Sequence, residues 1–125
     1  MARKILIVDD SPVARKILKS CIPKDNEYEF HEAADGRSAL ETYKGIQPDI
    51  TFMDITMPEM NGMECLEEIM KINGKAIVIM CTADVQIQSI GKAMSLGALS
   101  FIRKPASKET VQKALSEALG ILTNA

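Results

Sequence analysis

The chain has 125 residues, which is about the length of one domain, since domains commonly contain roughly 100 to 200 residues. With 46% hydrophobic residues, 26% charged residues and a net charge of -2, it has the composition of a globular domain. A length of 125 residues leaves no room for a second folded domain. The lysines and arginines are scattered, so we expect neither a nucleic-acid partner nor a membrane surface.

The three cysteines are odd in number, widely spaced and without a C-x-x-C or histidine companion, so the sequence predicts neither a disulfide framework nor a zinc site; they are Cys21, Cys65 and Cys81. The amino-terminal apolar run stops after four residues at Asp9 and Asp10, unlike a signal peptide. No apolar run approaches the roughly 20 residues that span a bilayer. We therefore expect a cytoplasmic protein.

Short apolar runs alternate with longer amphipathic stretches five times along the chain, with Gly, Pro and Asp at the joins. The predicted strands are residues 4–8, 29–33, 49–53, 76–81 and 99–103. The first, third and fourth are nearly all apolar, as strands covered by helices on both faces are. The pattern predicts a doubly wound, five-stranded parallel sheet.

The helices carry start signals. Ser11 before Pro12 predicts the first helix, and its apolar face is predicted to contain Ala14, Ile17, Leu18 and Cys21. Asn61 and Glu64 resemble a capping box for the third helix. Ser107 would cap the last helix, in which apolar residues follow the i, i+3, i+4, i+7 spacing: Val111, Ala114, Leu115, Ala118, Leu119 and Leu122.

Ligands of such a sheet bind outside the carboxyl ends of its strands. The residues that follow the predicted strands are Asp9 and Asp10, then Asp54, then Thr82, and finally Lys104 with Pro105. Three neighbouring carboxylates repel one another unless cations neutralise them. Oxygen ligands without His or Cys suit Mg²⁺, which also recruits phosphate. Asp54 is then the natural nucleophile for an acyl phosphate.

Each feature also has a purely structural explanation. Asp9 and Asp10 could form a solvated turn before a helix, and Asp54 could precede a turn. Thr82 or Asp84 could cap the fourth helix. These explanations do not account for the collection of all the features at one sheet edge. The eight methionines are interpreted as core filler, and the sequence indicates no partner for His31.

In combination these motifs resemble the receiver domains of two-component response regulators, along the whole chain. The resemblance rests on Ile5 to Ser11, on Asp54-x-x-Met57-Pro58-x-Met60-x-Gly62, on Thr82-Ala83, on Gly97-Ala98 and on Phe101-Ile102-x-Lys104-Pro105. It implies a flavodoxin-like fold with strand order 2-1-3-4-5. The length is similar to that of stand-alone chemotaxis regulators. We expect one receiver domain over residues 1–125 without an output domain, because the chain begins with Met1 and ends just beyond the last predicted helix.

The resemblance also implies residue roles. Asp54 would accept phosphate from a histidine kinase, with Mg²⁺ bound by Asp10, Asp54 and the Thr56 carbonyl and assisted by Asp9. Lys104 and Thr82 would contact the phosphoryl oxygens. Phe101 would turn inward, and Thr56 and Asp84 would tune self-dephosphorylation. The face made by helix four, strand five and helix five would then bind an output protein, such as a flagellar motor switch component.

Other functions remain open. A phosphorelay intermediate or phosphate sink would use the same chemistry without an output face. A phosphatase is considered as a further partner of the phosphorylated form, and the chain is expected to be a monomer. The alternative from another class is a Mg²⁺-dependent phosphatase with an aspartyl-phosphate intermediate. Such enzymes use Asp-x-Asp, whereas this chain has Asp54-Ile55-Thr56.

Overall fold

The computed structural model describes residues 3–24, 28–57, 60–83 and 87–123. These residues form five strands that alternate with five helices. The strands are β1 (Arg3–Val8), β2 (Tyr28–Ala33), β3 (Ile50–Asp54), β4 (Val78–Thr82) and β5 (Ser100–Arg103). The helices are α1 (Pro12–Cys21), α2 (Gly36–Ile46), α3 (Gly62–Ile72), α4 (Ile87–Leu96) and α5 (Lys108–Thr123).

The strands form one parallel sheet in the order β2-β1-β3-β4-β5, which confirms the expected fold. Every residue of β3 and β4 is buried, as the near-continuous apolar sequence of these strands predicts. The strand order reverses between β1 and β3, so the loops after these two strands diverge and leave a crevice between them. The carboxyl ends of β1 and β3 therefore bring Asp9 and Asp54 to the same edge.

Two apolar layers lie on opposite faces of the sheet. One face buries Ile7 and Phe52 beneath α1 and α5, and the other buries Val8 and Met53 beneath α2, α3 and α4. Alternate residues of one strand point to opposite faces, so a single apolar strand supplies both layers. This two-sided burial fixes the strands whose ends carry the polar residues.

The predicted boundaries differ from the observed ones by one or two residues. The largest difference is at β4, which begins at Val78 rather than at residue 76. The amide of Ala76 donates to the carbonyl of Asn73 at 3.0 Å, so this residue still belongs to the preceding turn. At the other end, β3 and β4 extend by one residue to include Asp54 and Thr82.

The predicted helix starts are confirmed. Ser11 accepts a hydrogen bond from the amide of Ala14, and Asn61 and Glu64 form the reciprocal bonds of a capping box. Ser107 Oγ accepts from the amide of Thr110 at 3.2 Å. These caps satisfy backbone donors that have no partner inside the helix.

The predicted apolar face of α1 is only partly buried. Leu18 and Cys21 lie in the core, whereas Ile17 is 41% exposed. Ile17 lines a cleft together with Val13 instead of packing under the sheet. A helical spacing identifies the residues that share a face, but it does not show how far the neighbouring helix covers that face.

Candidate functional site

Three carboxylates meet at the carboxyl edge of the sheet. Asp9 and Asp10 follow β1, and Asp54 is the last residue of β3. One carboxylate oxygen from each residue lies within 4.8 Å of the other two. Asp9 and Asp54 are each only 6% exposed, whereas Asp10 is open to solvent. We call these three residues the acidic cluster.

Lys104 joins the acidic cluster from the loop after β5. Its Nζ lies 2.5 Å from Asp9 Oδ2, to which it donates a hydrogen bond, and 3.4 Å from Asp54 Oδ2. The backbone amide of Lys104 donates to the carbonyl of Thr82 at 2.8 Å, which ties this loop to the end of β4. Three carboxylates and one ammonium leave a formal charge of -2 when all four groups are ionised.

Burial and neighbouring charges shift the pKa values of Asp54 and Lys104. Burial raises the pKa of Asp54, the neighbouring Asp9 raises it further, and Lys104 only partly offsets these effects. For Lys104, burial lowers the pKa, but the hydrogen bond to Asp9 and the charge of Asp54 outweigh it, so the pKa is raised. Lys104 is therefore firmly cationic at neutral pH, while ionised Asp54 is held at an energetic cost.

Asp9 is fixed by contacts that the sequence patterns do not reveal. Its Oδ1 accepts a hydrogen bond from the amide of Ser11 at 2.9 Å, and its carbonyl accepts from Arg15 Nη1 at 2.6 Å. Arg15 in turn donates from Nε to Glu32 Oε1 at 2.8 Å. Sequence reasoning missed Arg15, because nothing in its position on α1 separates it from the other basic residues of that helix.

The remaining predicted site residues have different surroundings. Thr82 ends β4 and is 2% exposed, and Thr56 is exposed in the loop after β3. Phe101 lies in β5 with an exposure of 41%. Asp84 lies outside the described residues. The structure thus brings Asp9, Asp10, Asp54 and Lys104 together, with Thr82 at the end of the adjacent strand.

An apolar cleft of about 370 Å³ adjoins the acidic cluster. Asp9 and Lys104 form its polar end, and Val13, Ile17 and Ala106 are among its apolar lining residues. The cleft explains why Val13 and Ile17 stay exposed although both are apolar. A molecule that approached the carboxylates from this side would meet an apolar wall.

The histidine and the three cysteines noted in the sequence do not belong to the acidic cluster. His31 has a partner that the sequence did not indicate: its Nε2 lies 2.7 Å from Glu29 Oε2 on the surface of β2. The three cysteines are free and buried, and burial raises the pKa of both Cys65 and Cys81 to about 12.

Among the described helices, none is long and apolar enough to cross a membrane.

The donor set fits a hard divalent cation. All three converging ligand atoms are carboxylate oxygens, and the charge of -2 that remains after pairing with Lys104 equals the charge that such an ion would neutralise. The pKa of Asp54 is raised first by burial and then by the neighbouring carboxylates of Asp9 and Asp10, and a bound cation would oppose both effects. A hard divalent cation such as Mg²⁺ would therefore suit this set of ligands.

The family model for the response regulator receiver domain matches residues 5–116. The chain belongs to the response regulator receiver family. It is 44% identical to the chemotaxis protein CheY of Thermotoga maritima, with 94% of this chain and 98% of that protein covered. CheY of Bacillus subtilis is 41% identical, with 95% and 99% covered.

Solved receiver structures agree with this membership. A CheX-CheY-BeF3-Mg²⁺ complex from Borrelia burgdorferi contains a chain 34% identical to this one, with a TM-score of 0.88 and with 94% of this chain and 89% of that one covered. A CheY-like receiver domain from Methanospirillum hungatei has a TM-score of 0.90 at 25% identity, covering 99% and 98% of the two chains. The chain is a two-component receiver domain with CheY homologues.

Proposed function

We propose that this receiver accepts a phosphoryl group on Asp54 and thereby controls the binding of a partner protein. The observation that carries the proposal is the convergence of three carboxylate oxygens within 4.8 Å, with the Lys104 ammonium 3.4 Å from Asp54. A phosphoryl group is recognised by cations, and this site combines a fixed cation with the ligands for a second one. A structural role alone would not require three carboxylates to share one edge.

Asp10, Asp54 and the backbone carbonyl of Thr56 would hold Mg²⁺, with Asp9 assisting through water. When bound, the ion supplies positive charge to the phosphoryl oxygens and relieves the repulsion within the acidic cluster. The Mg²⁺ named for the Borrelia burgdorferi CheY complex supports this assignment.

The chain's own residues carry the transfer. A carboxylate oxygen of Asp54 attacks the phosphorus of a phosphohistidine on a sensor kinase of the chemotaxis type. As the new oxygen–phosphorus bond forms, the nitrogen–phosphorus bond breaks and its electron pair remains on the imidazole. Lys104 then pairs with the phosphoryl oxygens, and its existing contact with both Asp9 and Asp54 means that only a short movement is needed.

The phosphorylated site would communicate with the face formed by α4, β5 and α5. Thr82 at the end of β4 would hydrogen-bond a phosphoryl oxygen and draw the following loop inward, after which Phe101 would turn into the vacated space. Before this turn Phe101 is 41% exposed, and Met94 of α4 and Ile121 of α5 are exposed apolar side chains at 45% each. A protein partner would cover such apolar area.

The chemotaxis homologues support a role in chemotaxis. We propose a histidine kinase as the donor and a flagellar motor switch component as the output. The match covers 98% and 99% of the lengths of these two CheY relatives. The CheX-CheY complex from Borrelia burgdorferi supports the binding of a second protein to such a receiver. We propose that a phosphatase acts on the phosphorylated form. Thr56 and Asp84 would set the rate of self-dephosphorylation, and the free cysteines suit the reducing cytoplasm.

The test is the intact mass of the protein after incubation with acetyl phosphate, with and without Mg²⁺. We expect the wild type to gain one hydroxylamine-labile phosphoryl group only when Mg²⁺ is present. Asp54→Asn should gain none, whereas Asp49→Asn should behave as the wild type, because Asp49 contacts the Lys4 amide at the opposite edge of the sheet. A stable adduct on Asp54→Asn would refute the assignment of the acceptor.

Two further measurements, of phosphate release and of partner affinity, distinguish the alternatives. Rapid phosphate release without any adduct would favour a Mg²⁺-dependent phosphatase. An adduct on the wild type that leaves partner affinity unchanged would favour a phosphorelay intermediate or a phosphate sink.

A further inference from the structure

The loop between β3 and α3 follows Asp54 and carries Thr56, and the first residue of α3 rests directly on its start. The amide of Gly62 donates to the carbonyl of Ile55 at 2.8 Å. A Cβ atom at Gly62 would lie 1.9 Å from the carbonyl oxygen of Asp54. Only glycine lets the helix approach the peptide after Asp54 so closely.

A second glycine, from a different helix, holds the far end of the same loop. Gly36 is the first residue of α2, and a Cβ atom there would lie 2.0 Å from the carbonyl oxygen of Met60. Its own carbonyl accepts a hydrogen bond from Cys65 Sγ of α3 at 3.4 Å. The amino-terminal ends of α2 and α3 therefore contact the described parts of this loop, α3 at Asp54 and Ile55 and α2 at Met60.

Both contacts are made by backbone atoms, which cannot swing aside as the end of a flexible side chain can. Contacts of a Cβ atom below 3.0 Å are essentially never found, so an alanine at Gly36 must push the Met60 carbonyl away. The shift needed is about 1 Å, and a misplacement of about 1 Å in a reacting group can cost a hundredfold in rate. The loop that presents Thr56 would move by that order.

We propose that Gly36, the first residue of α2, is a positioning residue for the phosphoryl-acceptor site. It acts through Met60 on the loop that carries Thr56, and Gly62 fixes the same loop beside Asp54. This inference rests on the proposed function, because it assigns the loop to the binding of Mg²⁺ and of the phosphoryl group.

The chain offers two matched controls. Gly45 lies in α2 like Gly36, but a Cβ atom there would meet nothing within 4 Å. Gly97 is a second position where alanine is strained, because its φ is +111°; the atom nearest to its Cβ position is Met70 Cε at 2.7 Å, the end of a flexible side chain. Gly97 precedes β5 at the edge of the sheet opposite to Asp54, so its substitution strains the fold without touching the loop.

The experiment measures the Mg²⁺ dissociation constant by calorimetry for the wild type, Gly36→Ala, Gly45→Ala and Gly97→Ala. We expect Gly36→Ala to weaken Mg²⁺ binding by about tenfold to a hundredfold, the range found when residues supporting metal ligands are changed. Gly45→Ala and Gly97→Ala should bind as the wild type does, although Gly97→Ala should unfold at lower urea. An unchanged dissociation constant in folded Gly36→Ala would overturn the proposal.

Amide resonances test the positioning without metal and without phosphoryl transfer. In the Mg²⁺-free protein, Gly36→Ala should shift the amides of Ile55 and Thr56, and Gly45→Ala should not; equal shifts in the two variants would overturn the proposal. Should Gly36→Ala fail to fold, the wild type is titrated with Mg²⁺. The Gly36 amide should then shift while the Gly45 amide does not, and a silent Gly36 amide would overturn the proposal.

These readouts separate the inference from the proposed function. A wild type that binds no Mg²⁺ would remove the metal from the proposed function, and the role of Gly36 in metal binding would be overturned with it, whatever the metal-free spectra show. A wild type that binds Mg²⁺ and is phosphorylated, beside a Gly36→Ala variant that does both equally well, would overturn the inference alone.

Discussion

Replacing Asp54 by asparagine should stabilise the protein in the absence of Mg²⁺. At an effective dielectric constant of about 20, Lys104 at 3.4 Å stabilises the Asp54 charge by about 5 kcal/mol, and Asp9 within 4.8 Å opposes it by about 3.5 kcal/mol. The difference is smaller than the several kcal/mol that burial of a carboxylate costs. Asp54→Asn removes the charge and keeps the shape, so we expect a gain of about 1–2 kcal/mol in the free energy of unfolding.

The assay is urea unfolding in EDTA near pH 7, followed by far-ultraviolet circular dichroism. Glu67→Gln is the control, because it removes one negative charge from an exposed position on α3 and should change stability by less than about 0.5 kcal/mol. Added Mg²⁺ should stabilise the wild type and reduce its deficit relative to Asp54→Asn. An Asp54→Asn variant that is equally or less stable than the wild type without metal would refute the electrostatic reasoning.

The pH dependence gives the same prediction a second check. The pKa of Asp54 is higher in the folded protein than its ordinary value of 3.8, so in the acid range the folded state binds more protons than the unfolded state. Stability therefore falls as the pH rises from the unfolded pKa through the folded one, and the cost is complete above the folded pKa. The advantage of Asp54→Asn should be full at neutral pH and should vanish in acid.

Three further predictions concern neighbouring elements. Lys104→Met leaves the buried Asp9 without its ion pair and should lower the free energy of unfolding by about 2–3 kcal/mol in urea at neutral pH; unchanged stability would contradict the importance of this pair. Thr51→Val should raise the free energy of unfolding by about 1 kcal/mol, because Thr51 Oγ1 is buried without a hydrogen-bond partner among the described residues; a loss would show that the hydroxyl is satisfied. Asn61→Ala removes the cap that accepts from the Glu64 amide and should cost about 1 kcal/mol by thermal unfolding, whereas Asn61→Ser should restore most of it.

The sequence predicts the fold because its signals are local and agree with one another. Each element has its own local signal: an apolar run for a strand, a cap such as Ser11 or Asn61 for a helix, and Gly, Pro or Asp at the joins. The parallel sheet follows from the alternation of strands and helices. The acidic cluster can be predicted from the sequence equally well, because residues that follow parallel strands must meet at one edge of the sheet. Asp9, Asp54 and Lys104 were therefore predictable as neighbours from strand ends alone.

The missed features depend on distances between segments that no local pattern encodes. Arg15 holds the Asp9 carbonyl only because α1 turns back over the end of β1. Ile17 is exposed because the loop after β5 leaves a cleft beside α1. Gly36 is separated from Met60 by 24 positions, and nothing near it in sequence indicates that its missing side chain makes room for a carbonyl.

The site contains carboxylates that lower the stability of the fold and backbone contacts that hold those carboxylates in place. A buried carboxylate beside two others raises the energy of the ionised state, so without strong restraints Asp54 would move toward solvent. Here β3 pairs with a strand on each side, and Gly62 rests on the Asp54 carbonyl, so the backbone cannot yield. An arriving cation can therefore relieve this repulsion, and the rigid sheet edge makes that relief a source of binding energy.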